Sequence, residues 1–307
     1  MRDEAIPEAG VQRVIGDYIV YSDVVAKGAE AVIRFAKHSK TGRKVVLKTM
    51  SEQRTCAYEA NILQQLKHEN IVELYEVIEF DGKQHLVLQY ASRGDLFDHI
   101  CASPNQRLPE DEALSIFCQI ISGLEHVHDN AVVHRDLKPE NIFLGQDGRV
   151  LIGDFGMAAV AKEGSGNKIR TEFCGSLNYI APEILRRRPI ANEKIDIWSL
   201  GVLLFVMVTG AYPFEGVDEM STKKKILTGK FAIPAHVSEP CADLIANMLI
   251  TEPDDRISLS KVRTHAWICG YFGSRSATPR PRSEEEAAEA AAAAASAAAS
   301  AASAAAA

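Results

Sequence analysis

The chain has 307 residues, of which 47% are hydrophobic and 24% are charged, and its formal net charge is -7 at pH 7. This length allows one large domain or two small ones. The acidic balance argues against a general nucleic-acid binder and favours partners that carry basic segments. The 6 cysteines are scattered without a C-x-x-C pair, which argues against a disulfide framework or a zinc site and favours reduced thiols.

The first residues, 1–16, form a leader of mixed polarity that lacks the apolar centre of a signal peptide. The most apolar internal run, residues 197–208, is too short to span a bilayer. Together these features predict a soluble protein of the cytoplasm or the nucleus, with no membrane contact.

Strand patterns dominate the start of the chain. Residues 17–50 alternate apolar and polar side chains, with a turn at Gly42, which is typical of antiparallel strands. Residues 55–67 change to helical spacing. Two more strands are predicted over residues 72–80 and 85–89.

From Asp95 onward, apolar residues recur mainly at helical spacing. Helices are predicted over residues 109–130, 194–209, 218–228, 238–249 and 258–265. A strand-rich first third followed by helices predicts an α+β fold with two lobes.

The end of the chain, residues 273–307, contains two prolines among serine and arginine residues and then a run of alanine and serine. This run has no apolar face that could dock, so we predict a disordered tail. Because residues 273–282 lack a basic amphipathic pattern, we expect no calmodulin-binding segment.

One short loop, residues 134–141, combines a carboxylate, a lysine and a carboxamide at Asp136, Lys138 and Asn141. A second carboxylate, Asp154, follows an apolar run. Phosphoryl transfer needs a carboxylate near the attacking hydroxyl, a cation near the transferred phosphate and oxygen ligands for Mg²⁺. The alternative interpretation is a polar loop between two buried strands.

The two segments read H-R-D-L-K-P-E-N from residue 134 and D-F-G from residue 154. They match the pattern H-R-D-x-x-x-x-N followed by D-F-G, so the chain resembles the eukaryotic protein kinases. Lys138, two positions after Asp136, is similar to the lysine found at this position in the serine/threonine branch. The motif order resembles the calcium/calmodulin-dependent and AMP-activated group, with some features similar to the polo-like kinases.

The resemblance covers about residues 17–268. It implies the two-lobed protein kinase fold, with a small antiparallel-sheet N-lobe containing one helix over residues 17–89 and a larger helical C-lobe over residues 92–268. It also implies a serine/threonine protein kinase that uses ATP and Mg²⁺. A kinase of small molecules fits less well, because the long segment that ends in A-P-E at residues 181–183 is similar to that of protein kinases.

The resemblance implies a catalytic role for four side chains. Lys48 would hold the α- and β-phosphates, and Glu59 would orient Lys48 through an ion pair. Asp136 would accept the proton of the substrate hydroxyl, and Lys138 would offset charge on the transferred phosphate. The alternative for the first pair is a surface lysine and a solvated helical acid.

A metal site and a nucleotide pocket are implied as well. Asn141 and Asp154 would hold Mg²⁺. The residues assigned to the ATP pocket, besides Lys48, are Ala26, Lys27, Gly28, Ala29, Glu30, Ala31, Ile33, Val46, Leu88, Gln89, Ala91 and Phe143.

The glycine-rich loop departs from the kinase pattern G-x-G-x-x-G-x-V. Ala26 and Ala31 replace the outer glycines, and Glu30 adds an anion near the phosphates. Glycine allows backbone N–H groups to approach phosphates without interference from Cβ, so this loop should bind ATP less well. It supports an alternative function, a pseudokinase-type nucleotide-binding scaffold with impaired catalysis, and a simple β-turn is the structural alternative.

The segment after Asp154 resembles a kinase activation segment that includes Thr171, Glu172 and Ser176. Glu172 occupies the place of a phosphorylated threonine, so we predict that it gives Arg135 part of that negative charge permanently, with phosphorylation of Thr171 as an enhancer. An exposed acid without a partner is the alternative. Ser176 resembles the hydroxyl residue that bonds to Asp136 and Lys138.

Two acids, Asp95 and Glu140, match positions that bind arginines before the phosphorylated residue in relatives. They predict protein substrates with a mild preference for basic residues, although Asp95 could equally cap its helix. Asp196 resembles the acid that anchors the catalytic loop, and Glu183 with Arg256 resembles a structural ion pair. We expect a monomer.

Overall fold

An antiparallel sheet forms the first part of the chain in the computed structural model, which describes residues 10–27, 31–50, 53–160, 176–186 and 193–269. Its strands are β1 (Val11–Ile15), β2 (Tyr18–Lys27), β3 (Ala31–His38), β4 (Lys44–Met50), β5 (Leu74–Phe80) and β6 (Lys83–Gln89). They lie in the order β1-β2-β3-β4-β6-β5. The sheet is curled, and β1 and β5 are its two edges.

Side chains alternate across β4 and so separate the two faces of the sheet. Val45 and Leu47 are buried on one face, in a cluster with residues of β1, β2, β3 and β6. Met50 lies on the other face with helix α1 (Gln53–Gln65), and Lys48 shares this face by alternation. The strand therefore aims a lysine at α1.

The rest of the chain is mainly helical. Its helices are α2 (Leu96–Ala102), α3 (Glu110–Asp129), α4 (Pro182–Leu185), α5 (Lys194–Thr209), α6 (Glu219–Thr228), α7 (Glu239–Met248) and α8 (Leu259–Arg263). Helix α5 is buried at almost every position and packs against α3 and α7, so it forms the centre of this lobe.

Four short strands frame the loop between the lobes. β7 (Val132–Val133) pairs with β10 (Ala159–Val160), and β8 (Ile142–Leu144) pairs with β9 (Val150–Ile152). The polar loop 134–141 therefore leaves β7 and ends at β8, and Asp154 follows β9.

The structure confirms the expected α+β class and the two-lobed arrangement of sheet and helices. It adds one element, because the leader 1–16 contains β1, which pairs with β2 and buries Ile15. Within the described ranges, no helix is both long and apolar enough to cross a membrane.

Candidate active site

Three charged side chains meet where α1 faces the sheet. Lys48 Nζ donates to both carboxylate oxygens of Glu59 at 2.8 Å and to Asp154 Oδ1, also at 2.8 Å. Lys48 and Glu59 are buried, whereas the Asp154 side chain is 46% exposed. The structure therefore brings together three of the predicted site residues.

Each member of this trio is placed by its own element. Lys48 lies on β4, and Glu59 lies on the second turn of α1. Asp154 follows β9 with a left-handed backbone (φ 56°), which is unusual outside glycine and turns its side chain back toward Gly156 N–H. Such backbone strain is typical of functional positions.

The pKa shifts favour the charged forms of Lys48 and Asp154, whereas burial raises the pKa of Glu59 against the lowering effect of Lys48. Burial alone would lower the pKa of Lys48, but the carboxylates of Glu59 and Asp154 raise it above its ordinary value. Burial alone would raise the pKa of Asp154, but the Lys48 ammonium holds it below 3.8. The site therefore presents a fixed cation beside a carboxylate that is open to the cleft.

The loop between β7 and β8 builds a second group around Asp136. Asp136 Oδ2 lies 2.9 Å from Lys138 Nζ and accepts a hydrogen bond of 3.0 Å from Asn141 Nδ2. Asn141 Nδ2 also donates to the Asp136 carbonyl at 2.8 Å, and Lys138 Nζ donates to Ser176 Oγ at 3.3 Å. Of the two partners predicted for Ser176, Lys138 is in hydrogen-bond contact, and it donates to the serine hydroxyl.

The other carboxylate oxygen of Asp136 is unpartnered in the described part of the chain. Oδ1 is buried and has no hydrogen-bond partner within the ranges that the structure describes. A buried carboxylate oxygen without a donor is costly, so a ligand group is expected there.

The two groups are joined through the backbone. Gly153 N–H donates to the Asn141 carbonyl at 2.9 Å, which sets the residue before Asp154 beside the catalytic loop. His134 Nε2 contacts the Gly153 carbonyl at 3.0 Å, and the rings of His134 and Phe155 lie 4.8 Å apart. Both predicted metal ligands therefore lie on backbone segments that touch.

A family model described as "Protein kinase domain" matches residues 20–268 of the chain. The chain belongs to the protein kinase family. This match covers the sheet from the third residue of β2 onward and helices α2 to α8.

Curated relatives place the kinase in the serine/threonine branch, in the calcium/calmodulin-dependent and AMP-activated group. Serine/threonine protein kinase OSK3 of Oryza sativa subsp. indica is 37% identical over 268 residues, which is 85% of this chain and 52% of that protein. Serine/threonine-protein kinase SIK2 of Gallus gallus is 36% identical over 251 residues, 80% of this chain and 31% of that protein. The chain thus spans about half the length, or less, of these relatives.

Asp196 on α5 anchors the catalytic loop, residues 134–141, by hydrogen bonds. The amides of His134 and Arg135 donate to its two oxygens at 2.9 and 2.8 Å, and His128 Nε2 bonds to Oδ2 at 2.8 Å. Arg135 has a left-handed backbone (φ 66°), so these bonds hold the loop in a strained conformation. Asp196 thus occupies the place that the sequence predicts for it.

His128 was not among the predicted site residues. It lies four positions after Leu124 on the face of α3 that packs inward, and its side chain is 6% exposed. A histidine on the apolar face of a predicted helix is the signal that could have identified it.

Asp196→Asn should weaken the dependence of folding stability on pH in the acidic range. Burial alone would raise the pKa of Asp196, but the bond to His128 and the charge of that ring hold it below 3.8. A carboxyl group whose pKa is lower in the folded than in the unfolded protein contributes its full stabilisation above its unfolded-state pKa. This stabilisation is lost as pH falls through its folded-state pKa. We therefore expect thermal unfolding, followed by circular dichroism, to show a shallower fall of Tm below about pH 4 in the variant.

Asp243→Asn is the matched control for this pH series, since Asp243 lies at the surface beside His265. It should keep the wild-type slope. Parallel curves for wild type and Asp196→Asn would contradict the assignment.

The strands bring part of the predicted nucleotide pocket into register. Ala26 on β2 faces Ile33 on β3, and Ile33 faces Lys48 on β4. Val46 on β4 faces Leu88 on β6. Gln89 ends β6, and Ala91 follows it. Lys27 ends β2 and Ala31 begins β3.

Phe143 on β8 packs against Gly153, the residue before Asp154. A Cβ at Gly153 would come within 2.6 Å of the Phe143 ring, so a side chain at this position would displace the ring. Phe143 is half-buried, which agrees with a wall of the cleft.

The two predicted substrate acids differ. Asp95 caps α2, since its Oδ1 accepts from Asp98 N–H at 2.9 Å, so the capping alternative is realised. Glu140 lies in the turn Pro139–Asn141, and its buried Oε2 has no hydrogen-bond partner in the described part of the chain. Glu140 is therefore the better placed of the two to receive a cation.

Several predicted residues lie outside the described ranges. They are Gly28, Ala29 and Glu30 of the glycine-rich loop and Thr171 and Glu172 of the activation segment. Their roles stay predictions.

Proposed function

We propose that this chain transfers the γ-phosphate of ATP to serine or threonine hydroxyls of protein substrates. The observation that carries the proposal is the Asp136 carboxylate. One of its oxygens is held by Lys138 and Asn141, and the other is buried without a hydrogen-bond partner among the described residues. A hydroxyl that donates to this second oxygen would satisfy it and would be oriented for attack.

The donor set fits a hard cation. Asn141 uses its amide N–H group on Asp136, which leaves its carbonyl oxygen as a ligand, and the half-exposed Asp154 supplies carboxylate oxygen. Oxygen ligands of this kind suit Mg²⁺, which neutralises phosphate charge when bound.

The remaining steps belong to the chain's own side chains. Lys48, oriented by Glu59, would bind the non-transferred phosphates. Asp136 would accept the hydroxyl proton, and Lys138 would stay beside the transferred phosphate because Ser176 and Asp136 hold it.

A transfer assay tests this function. The purified chain, with Mg²⁺ and γ-labelled ATP, should label a generic basic protein, and Asp154→Asn should lose at least about 99% of that labelling, since general acid–base and charge-stabilising groups are each worth about 10²-fold or more. ATP binding without transfer would instead support the nucleotide-binding scaffold.

We further propose a mild preference for basic residues before the acceptor, supported by the open Glu140 oxygen. Glu140→Gln should lower kcat/KM about tenfold for a peptide with arginine before the serine. A charge-assisted hydrogen bond is worth about 1.5–3 kcal/mol, and the neutral bond that glutamine could still make is worth about 0.5–1.5 kcal/mol. The same variant should leave an alanine-substituted peptide unchanged.

Glu79→Gln, an exposed acid on β5, is the control for this peptide experiment. An equal loss on both peptides would show that Glu140 supports the loop instead of reading the substrate.

The cytoplasm or the nucleus is the proposed compartment, supported by cysteines without disulfide spacing. In the described part of the chain, Cys56, Cys101, Cys118, Cys241 and Cys269 are free thiols. A monomer is the proposed assembly.

A further inference from the structure

Strands β1 and β2, at one side of the sheet, contact β5, at its other edge, through side chains. Tyr18 Oη, on β2 where it leaves β1, donates to Glu76 Oε1 on β5 at 2.6 Å. The Arg13 guanidinium on β1 lies 6.0 Å from the centre of the Phe80 ring on β5. Gly16, between β1 and β2, lies against Ile78. The sheet therefore curls far enough for its first and last strands to meet.

Side chains alone make this closure. Within the ranges that the structure describes, no backbone ladder joins β1 to β5. Ile15 and Tyr18 are 1% and 5% exposed and enter the same buried cluster as Val20 and Val87. The residues of this closure that precede Val20 lie outside the matched kinase range.

Strands β2 and β5, which the Tyr18–Glu76 bond joins, are both connected to the nucleotide site. β2 carries Ala26 at its other end, and its pairing with β3 changes register twice between Val20 and Ala26. β5 packs against α1, the helix that carries Glu59. The Tyr18–Glu76 bond therefore ties the strand that leads into the nucleotide loop to the strand that supports the Glu59 helix.

We propose that Tyr18 is a positioning residue for ATP: its bond to Glu76 closes the sheet and holds the base of the nucleotide loop and α1 in the arrangement that binds the phosphates. This inference rests on the proposed function. When only a fraction of molecules has the competent arrangement, the apparent affinity falls by that fraction. The Tyr18–Glu76 bond would raise the fraction of molecules in the competent arrangement, and it does not contact the groups that react.

Tyr18→Phe tests the proposal, because it keeps the buried ring and its edge contact with His38 while it removes the hydrogen bond. KM for ATP should rise up to about tenfold, the low end of what one hydrogen bond to a carboxylate contributes, because Glu76 is exposed to solvent, and kcat should stay unchanged. Binding of a fluorescent ATP analogue should weaken by the same factor.

Glu76 variants separate positioning from stability. Glu76→Gln keeps a neutral acceptor for Tyr18 and should raise KM less than Glu76→Ala does. Glu76→Ala should reproduce Tyr18→Phe, and the double variant of Tyr18→Phe with Glu76→Ala should add nothing further. Tyr58→Phe, an exposed tyrosine on α1, is the matched control and should change neither KM nor Tm.

A fall in Tm with an unchanged KM for ATP in Tyr18→Phe and Glu76→Ala would overturn the inference and leave a purely stabilising contact. Failure of the wild-type chain to bind ATP or to transfer phosphate would instead refute the proposed function. The two failures are therefore distinguishable in one set of measurements.

Discussion

Asp136→Asn should lower kcat by about 10²–10⁴-fold, the range for loss of a positioned general base. The substitution keeps the shape of the side chain and an oxygen that can accept from Asn141, but it removes the charge that faces Lys138. The substitution also removes the basicity of Oδ1, the unpartnered oxygen that would receive the hydroxyl proton. Because Asp136 is not one of the proposed phosphate or metal ligands, KM for ATP should change little, as steady-state kinetics at saturating peptide would show.

Asp147→Asn is the control for the same chemical change, since Asp147 is an exposed acid paired with Arg149. It should keep the wild-type kcat. If Asp136→Asn retained more than about a tenth of the wild-type rate, the assignment of Asp136 as proton acceptor would be wrong.

Local sequence patterns predict the elements that are buried and regular. The sequence predicts α5 over residues 194–209, and the structure has it at Lys194–Thr209. The reason is physical: the apolar run ends at Val208, and the left-handed backbone of Gly210 (φ 72°) terminates the helix.

The same patterns miss β1. Its pairing with β2 shifts register between Val11 and Arg13, which breaks the two-residue alternation that identifies strands. Of its residues, Ile15 is buried while Val14 is 54% exposed, so the apolar signal is short. A similar shift between Leu74 and Glu76 accompanies the later start of β5, at residue 74 and not 72.

For the site, local sequence patterns predict less than the order of the kinase motifs does. Lys48 and Asp154 are 106 positions apart, and no local pattern predicts that their charged atoms lie 2.8 Å apart. The order of kinase motifs does predict it, because the motifs carry the topology of the fold. The surroundings of Asp136 Oδ1 and the bond from His128 to Asp196 depend on individual rotamers, so only the structure gives them.

Arg256→Met should destabilise the helical lobe by about 3–5 kcal/mol, the cost of breaking a buried ion pair. The two guanidinium nitrogens of Arg256 donate to Glu183 at 2.8 and 2.9 Å, and both side chains are 0% exposed. Arg256 also donates to the carbonyls of Ile250 and Lys194 and lies over the Trp198 ring. Its removal leaves the Glu183 charge buried without its cation, so Tm should fall by about 6–20 °C in calorimetry.

A second substitution separates the buried charge from lost packing. Glu183→Gln combined with Arg256→Met removes the uncompensated charge and should recover part of the lost Tm, because an apolar or neutral pair is often as stable as a buried ion pair. Arg263→Met is the control, since Arg263 pairs with Glu125 at the surface and exposed pairs contribute at most about 1 kcal/mol. A loss of Tm no larger in Arg256→Met than in Arg263→Met would mean that the Glu183–Arg256 pair does not stabilise the lobe.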